Sequence, residues 1–279
     1  GFTIRNSGTN TYDMGIVVYS CSYCTISNCK ITNENSHGML ITEYSNNNII
    51  TNCVISNNGR QGLLINGVSN DNQISNCIAQ YNNWTGICNA VSSRNIFSYC
   101  ITSNNLYCGF HIYNCSDEYS DNEIHNCEIS DNYDYGVYFY FSDDNFINNC
   151  NIYPNHLVGI RLYYSNTNMI YNSDISDNDY GISGQVSNDN VIKSCNLFSN
   201  GYGISLPFSD FNNISYCEIE ENDYGIRGYF SDNNLVFNCN LTSNNNIGIT
   251  LNNSNNNIIY HNNFNYNAQN AYDNSSNVW

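Results

Sequence analysis

Acidic residues in the middle of the chain have the composition of a cation site. Asp117, Glu118 and Asp121 lie in one short stretch, and Asp143 and Asp144 follow a little over twenty residues later. Clustered carboxylate oxygens are the donor set that calcium takes. Like charges held close need solvent, a proton or a cation between them. The same acids also suit solvated turns. A second constellation is softer: Cys88, Cys108 and His111 combine sulfur with imidazole, which suits copper or zinc. In a chain with 14 cysteines such a trio also arises by chance. Tyrosine supplies a third. Tyr135, Tyr180, Tyr202 and Tyr224 each precede a glycine, Tyr138, Tyr140 and Tyr163 stand close by, and Phe141, Tyr164, Phe208 and Phe230 form another set. Exposed Tyr beside Asn is the chemistry of a sugar or protein contact face. Rings that stack on one another would instead only cover turns. Asn-x-Ser/Thr acceptors for glycans occur at Asn83, Asn114, Asn213, Asn240, Asn252 and Asn274; an Asn-rich chain makes several by accident, and on a secreted chain they would carry sugar.

These groups must be positioned by a repeat. Glycine followed by an apolar residue recurs at Gly15, Gly38, Gly62, Gly86, Gly109, Gly136, Gly159, Gly181, Gly203, Gly225 and Gly248, at intervals of 22–27 residues. So steady a period marks a solenoid. An Asn column runs in phase: Asn48, Asn72, Asn95, Asn122, Asn145, Asn168, Asn190, Asn212, Asn234 and Asn257. Five residues after each comes a small residue, usually Cys, as at Cys53, Cys77, Cys100, Cys127, Cys150, Cys195, Cys217 and Cys239, with Ser173 and Asn262 in the same column. Cys24 and Cys29 bring the first coil into the Asn and Cys columns.

Gly-Ile-x-Leu, Asn-x-Ile and Cys-x-Ile alternate with period two over three or four residues, too short for helices and right for strands. Ser/Asn/Asp/Gly clusters between them are turn chemistry. Three short strands per coil, in register, predict an all-β, single-stranded right-handed parallel β-helix of about eleven coils of 22–27 residues with three short parallel sheets. One such domain is expected over residues 1–279, as the mature part or a fragment of a larger protein. Asn at a fixed turn position should ladder with the Asn above and below and tolerate left-handed backbone. Gly should permit a tight corner. Nine Cys in one inward column emerge parallel, poor geometry for disulfides, so they read as small core hydrophobes. Thiols so held imply a reducing setting or simply burial. Cys21, Cys24, Cys88, Cys108 and Cys115 stand outside that column.

Charge excludes some partners. Seven Lys and Arg against 24 Asp and Glu give a net charge of −17. Nucleic acid, bound mostly through cations on phosphates, and anionic membrane surfaces are unsuited partners. No run of 18 apolar residues is present to span a bilayer, and no secretory signal pattern opens the chain.

The unit N-x-I-x-x-C-x-I, then a turn, then G-I-x-L resembles the β-helix repeat of NosD-like and CASH (carbohydrate-binding/sugar-hydrolase) domains. The runs Ile258-Ile259-Tyr260-His261-Asn262-Asn263-Phe264, Gln269-Asn270-Ala271-Tyr272-Asp273 and Asn277-Val278-Trp279 are similar to the end of archaeal NosD-like repeat proteins. The resemblance spans the chain. It implies a secreted or cell-surface protein, as in archaeal envelopes, and no copper motif carries over from NosD itself. Polygalacturonase-type β-helix enzymes carry paired motifs, of which only Asp143-Asp144 has a counterpart here, and Lys30 and Lys193 have no clustered acids around them. Fold alone does not confer function. The expectation is therefore a non-catalytic surface module (stalk, sheath or fibre subunit) that pairs with copies of itself or a neighbouring surface protein. The alternative is a carbohydrate-binding or polysaccharide-degrading β-helix. No cofactor is implied beyond calcium at the acidic turns.

Overall fold

Each coil is three strands of mostly three to six residues joined by corners, and every strand pairs with its counterpart one coil away. The computed structural model describes residues 2–8, 10, 13–116 and 120–279. Strands Thr3–Arg5, Lys30–Thr32, Val54–Ser56 and their successors form a first sheet of 12 strands; those after Ile16–Tyr19 form a second of 12; those after Thr25–Ser27 a third of 11. All pairings are parallel and in register, as at Ile26↔Ile50 and Ile160↔Ile182. Inward Ile columns such as Ile129, Ile152 and Ile175 are fully buried. Each such side chain contributes about 1.5–3 kcal/mol relative to its exposed state.

Three details refine the expected β-helix. There are about twelve turns, one more than the glycines count, because Asn270 takes the glycine position in the last one: Ile249 pairs with Ala271, which sets Asn270 beside Gly248. Counting glycines misses that rung. The repeat glycines do not supply unusual torsions either. Gly67 is the one glycine with positive φ among the described residues. At Gly136 an added Cβ would lie 2.6 Å from the Gly159 carbonyl oxygen, so close approach between coils selects glycine. Beside the ladder, finally, the left-handed residue is the one before the ladder Asn, as in Asn47, Asp71 and Asp144, and not the ladder Asn itself.

The ladder exists. Asn48 Nδ2 donates to Asn72 Oδ1 at 3.0 Å, Asn72 to Asn95 at 3.0 Å and Asn145 to Asn168 at 3.1 Å. It lies at the corner between the second and third sheets, beside a stack of Ser45, Ser69, Ser92, Cys115 and Ser142. A second ladder, Asn58–Asn82–Asn105–Asn132–Asn155, runs at the corner between the first and second sheets. The Cys column fills the third corner. Its thiols donate to carbonyl oxygens, as from Cys77 to Ser75 at 3.3 Å, and all fourteen cysteines are free.

Candidate ligand groove on the second sheet

The outer face of the second sheet carries the unusual side chains. Outward positions alternate along each strand, so residues two after each repeat glycine stack in a column. In four consecutive coils that column reads Arg161↔Ser183↔Ser205↔Arg227. The two small serines are a trough between two long cations. At about 4.8 Å per coil, the guanidinium-bearing positions stand roughly 14 Å apart. Tyr135, Tyr180, Leu157 and Val158 line one side of this 340 Å³ groove, and Gln185 and Pro207 the other.

Arg161 donates from Nη1 to Ser183 Oγ at 2.5 Å and from Nη2 to Gln185 Oε1, and lies 5.5 Å from the Tyr163 ring centre. Arg227 lies over Tyr202 at 5.5 Å and Tyr229 at 5.7 Å. Neither has a carboxylate partner among the described residues; the one Arg–carboxylate pair there is Arg94–Asp71 at 2.7 Å. Burial lowers Arg161 from the ordinary guanidinium range and raises Tyr135, Tyr138 and Tyr202. The phenols therefore stay protonated and can donate. In a chain of net charge −17, two unpaired guanidiniums in a carboxylate-free trough are a local reversal of sign. Asp134 and Asp223 lie on the turns before Tyr135 and Tyr224, outside the trough lining.

Tyr180, Tyr202 and Tyr224 stack face to face at 4.9 Å centroid spacing and 8–10° between planes. Their faces are therefore taken by each other, and edges and hydroxyls are what a ligand meets. Tyr135 leans against Tyr138 at 4.9 Å, separated from the Tyr180 stack by Val158. Phe141 on Tyr164 and Phe208 on Phe230 also stack on themselves, at left-handed corners.

Further along the same column stand Cys88, His111 and Tyr138. His111 stacks on Tyr138 at 4.9 Å and meets Tyr107 at 5.8 Å. Cys88 and Cys108 are buried, and burial pushes the Cys88 thiol up to about 12. No group of three potential ligands for a metal forms among the described residues, so Cys88, Cys108 and His111 share a neighbourhood without assembling a centre. Burial lowers His111 to about 4, and its Nε2 has no partner. Its folded value lies below the ordinary 6.5, so its contribution to stability is complete above pH 6.5. That contribution falls as pH drops below 6.5 and levels off below about 4. Urea midpoints followed from pH 7.5 to 4.5 should decline less steeply in His111→Phe than in the parent. Parallel curves would dismiss this role.

The acidic candidates are scattered. Asp121 and Asp144 do occupy one left-handed column with Asp71 and Arg94, and Arg94 already brings a cation to it. Asp143 Oδ1 accepts the Asn166 N–H at 2.6 Å. Asp117 and Glu118 lie outside the described residues. Of the sequons, Asn83, Asn114 and Asn274 are exposed. Asn213 and Asn240 sit on outer faces as expected, yet both are half-buried: Asn213 has a buried, unpartnered Oδ1, and Asn240 donates to Glu218 at 2.7 Å. Asn252 is half-buried. A larger depression of 630 Å³ at another corner carries Asp131, Asp177, Asp179, Tyr133 and His156. Its acids face no lysine or arginine in the lining, so its sign is opposite to that of the groove.

Sequence reasoning picked out the tyrosines and missed Arg161, Arg227, Ser183, Ser205 and Gln185. The available signal was that two of only seven cations fall two residues after a repeat glycine.

A model for the right handed beta helix region matches residues 14–169, 61–213 and 168–278. No curated protein matches the chain. Among solved structures, the A-module of mannuronan C-5 epimerase AlgE6 from Azotobacter vinelandii superimposes with a TM-score of 0.75 at 14% identity, over 95% of this chain and 89% of that one. The Dettilon tailspike protein gives 0.71 at 12%, over 93% and 60%. Tailspike protein 2 of the Escherichia coli O157:H7 bacteriophage CAB120 gives 0.61 at 13%, over 84% and 37%. At such identities the likeness is one of fold.

Proposed function

Because the chain belongs to the right-handed β-helix family, we propose that it uses the outer face of its second sheet to bind a linear acidic polysaccharide. One observation carries this reading: Arg161 and Arg227, without carboxylate partners among the described residues, bracket the Ser183–Ser205 trough. A half-buried cation without a counter-ion gains from one, and a uronate carboxylate would supply it through bidentate hydrogen bonds. Tyr hydroxyls and Gln185 are there to meet sugar hydroxyls. One pyranose ring spans close to one coil, so a short run of sugars would bridge the two arginines. The fold neighbours include an epimerase named for mannuronan, and that substrate class fits the groove's charge.

The described lining residues include no carboxylate, so the acid/base pair of a glycosidase is not what this groove offers, and the proposal is binding. We read the repeat as the NosD-like, CASH-type form of the family, displayed at a cell surface, with the groove as the working face of a stalk or sheath. Titration calorimetry with polymannuronate, polygalacturonate and neutral dextran tests the reading. Binding of the two polyuronates that weakens with salt, with none to dextran, is expected. Equal affinity for dextran, or no binding to either polyuronate, would sink it.

A further inference from the structure

The first coil departs from most later ones at the corner between the second and third sheets. That corner is Ser-x-x-Asn in most coils, as at Ser45 to Asn48 and Ser69 to Asn72, while Cys115 takes the Ser place once, with Asn122 seven residues on. In the first coil it is Cys21-Ser22-Tyr23-Cys24. The backbone keeps the common geometry. Cys21 N donates to Ser45 Oγ at 3.1 Å, as Ser45 N does to Ser69 Oγ, and Cys24 N donates to Asn48 Oδ1 at 2.8 Å, as Asn48 N does to Asn72 Oδ1 at 2.9 Å. The side chains do something new. The two sulfurs are in contact at 2.7 Å. Both cysteines are partly exposed, while the other twelve are buried.

The stacked Cys column contrasts with this pair. There, successive thiols sit on successive coils, each donates to carbonyl oxygens, and none is open to solvent. Buried thiols of this kind are inert packing. Cys21 and Cys24 instead have neighbouring sulfurs within one tight turn, reachable from solvent, and are held there by the coil above. Those are two requirements of thiol–disulfide exchange: access, and a second thiol placed to resolve the first adduct.

We propose that Cys21 and Cys24 are a modification site that closes an intramolecular disulfide by exchange with a low-molecular-weight disulfide of the glutathione class. One cysteine, as thiolate, attacks a sulfur of the small disulfide, whose S–S bond breaks. A mixed disulfide forms and the first small thiol leaves. The second cysteine, as thiolate, then attacks the protein sulfur of that adduct. The Sγ–Sγ bond forms and the second small thiol leaves. The two cysteine thiols are oxidised by two electrons and the small disulfide is reduced to two thiols, which take up the two protons. Closure locks the corner of the first coil in the shape that its hydrogen bonds to Ser45 and Asn48 already impose.

The test uses the whole chain, reduced and desalted, with and without oxidised glutathione, then labelled with N-ethylmaleimide before and after unfolding. Intact mass should show two fast adducts on the reduced native protein and none after oxidation. After unfolding, labelling should fall from fourteen to twelve, with Cys21 linked to Cys24 in the peptide map. Cys21→Ser and Cys24→Asn each restore the residue that most other corners carry, so both variants should fold. Each should stop at a single glutathione adduct. The proposal is overturned if oxidised glutathione leaves both thiols open to labelling. It is equally overturned if two glutathiones persist on the parent without ring closure, or if the linkage maps to buried cysteines.

Discussion

Replacing Arg161 and Arg227 together by alanine is expected to abolish measurable polyuronate binding. Each guanidinium would form charge-assisted hydrogen bonds with one carboxylate, worth about 1.5–3 kcal/mol. A single substitution should therefore weaken binding by roughly 10- to 150-fold, and the pair by the product where the two sites act independently. The geometry makes them separable, since the two positions stand three coils apart. Arg161 also donates to Ser183 and Gln185 inside the fold, so its loss should lower the melting temperature slightly, whereas Arg227 rests on Tyr rings and should cost less. Arg→Lys at either position keeps the charge and loses the planar fork, and should recover only part of the affinity. Ser205→Asp sets a negative charge on the trough floor directly beside Arg227, its partner one coil on, and supplies that arginine with a counter-ion. It should weaken polyuronate binding about as strongly as loss of one arginine. Titration calorimetry reads the affinities and thermal unfolding the melting temperatures. Wild-type affinity in the double alanine variant would reject the groove as the binding face.

Asn168→Ala is expected to cost about 2–5 kcal/mol of stability, far more than its size suggests. Asn168 is fully buried. Its Oδ1 accepts both the backbone N–H of Asn145 at 2.9 Å and the side-chain amide of Asn145 at 3.1 Å. Its Nδ2 donates to Asn190 Oδ1, Ser142 O and Asn166 O. Alanine removes one side chain and orphans buried polar groups on both sides of it, each with a desolvation penalty. The effect should be local first. Hydrogen exchange at the Asn145 amide should accelerate more than exchange several coils away, since a solenoid couples mainly to its neighbours. Urea unfolding and exchange together measure it. A loss under about 1 kcal/mol with unchanged exchange at Asn145 would show that the corner is held by strand pairing alone.

The glycine, Asn and Cys columns already place the coils, the inward Ile stacks and the Asn ladder. Period-two alternation and a constant repeat are local features, and a parallel stack in register turns them directly into columns. The sequence by itself therefore determined the architecture, the three sheets and the core role of the cysteine column.

Only the tertiary structure decided the rest. The twelfth turn rests on Asn270 in a place where spacing looks for glycine. The glycines answer to a carbonyl one coil away, which is 22–27 residues distant in sequence. The second Asn ladder hides among turn residues until its coils are superimposed. The groove exists because two serines fall between two arginines across four coils, and because the tyrosines beside them stack face to face. Which side chains share a surface depends on register between distant coils, and whether they leave a trough depends on the relative lengths of neighbours that never meet in sequence. Local pattern carries the first kind of information; packing between coils creates the second.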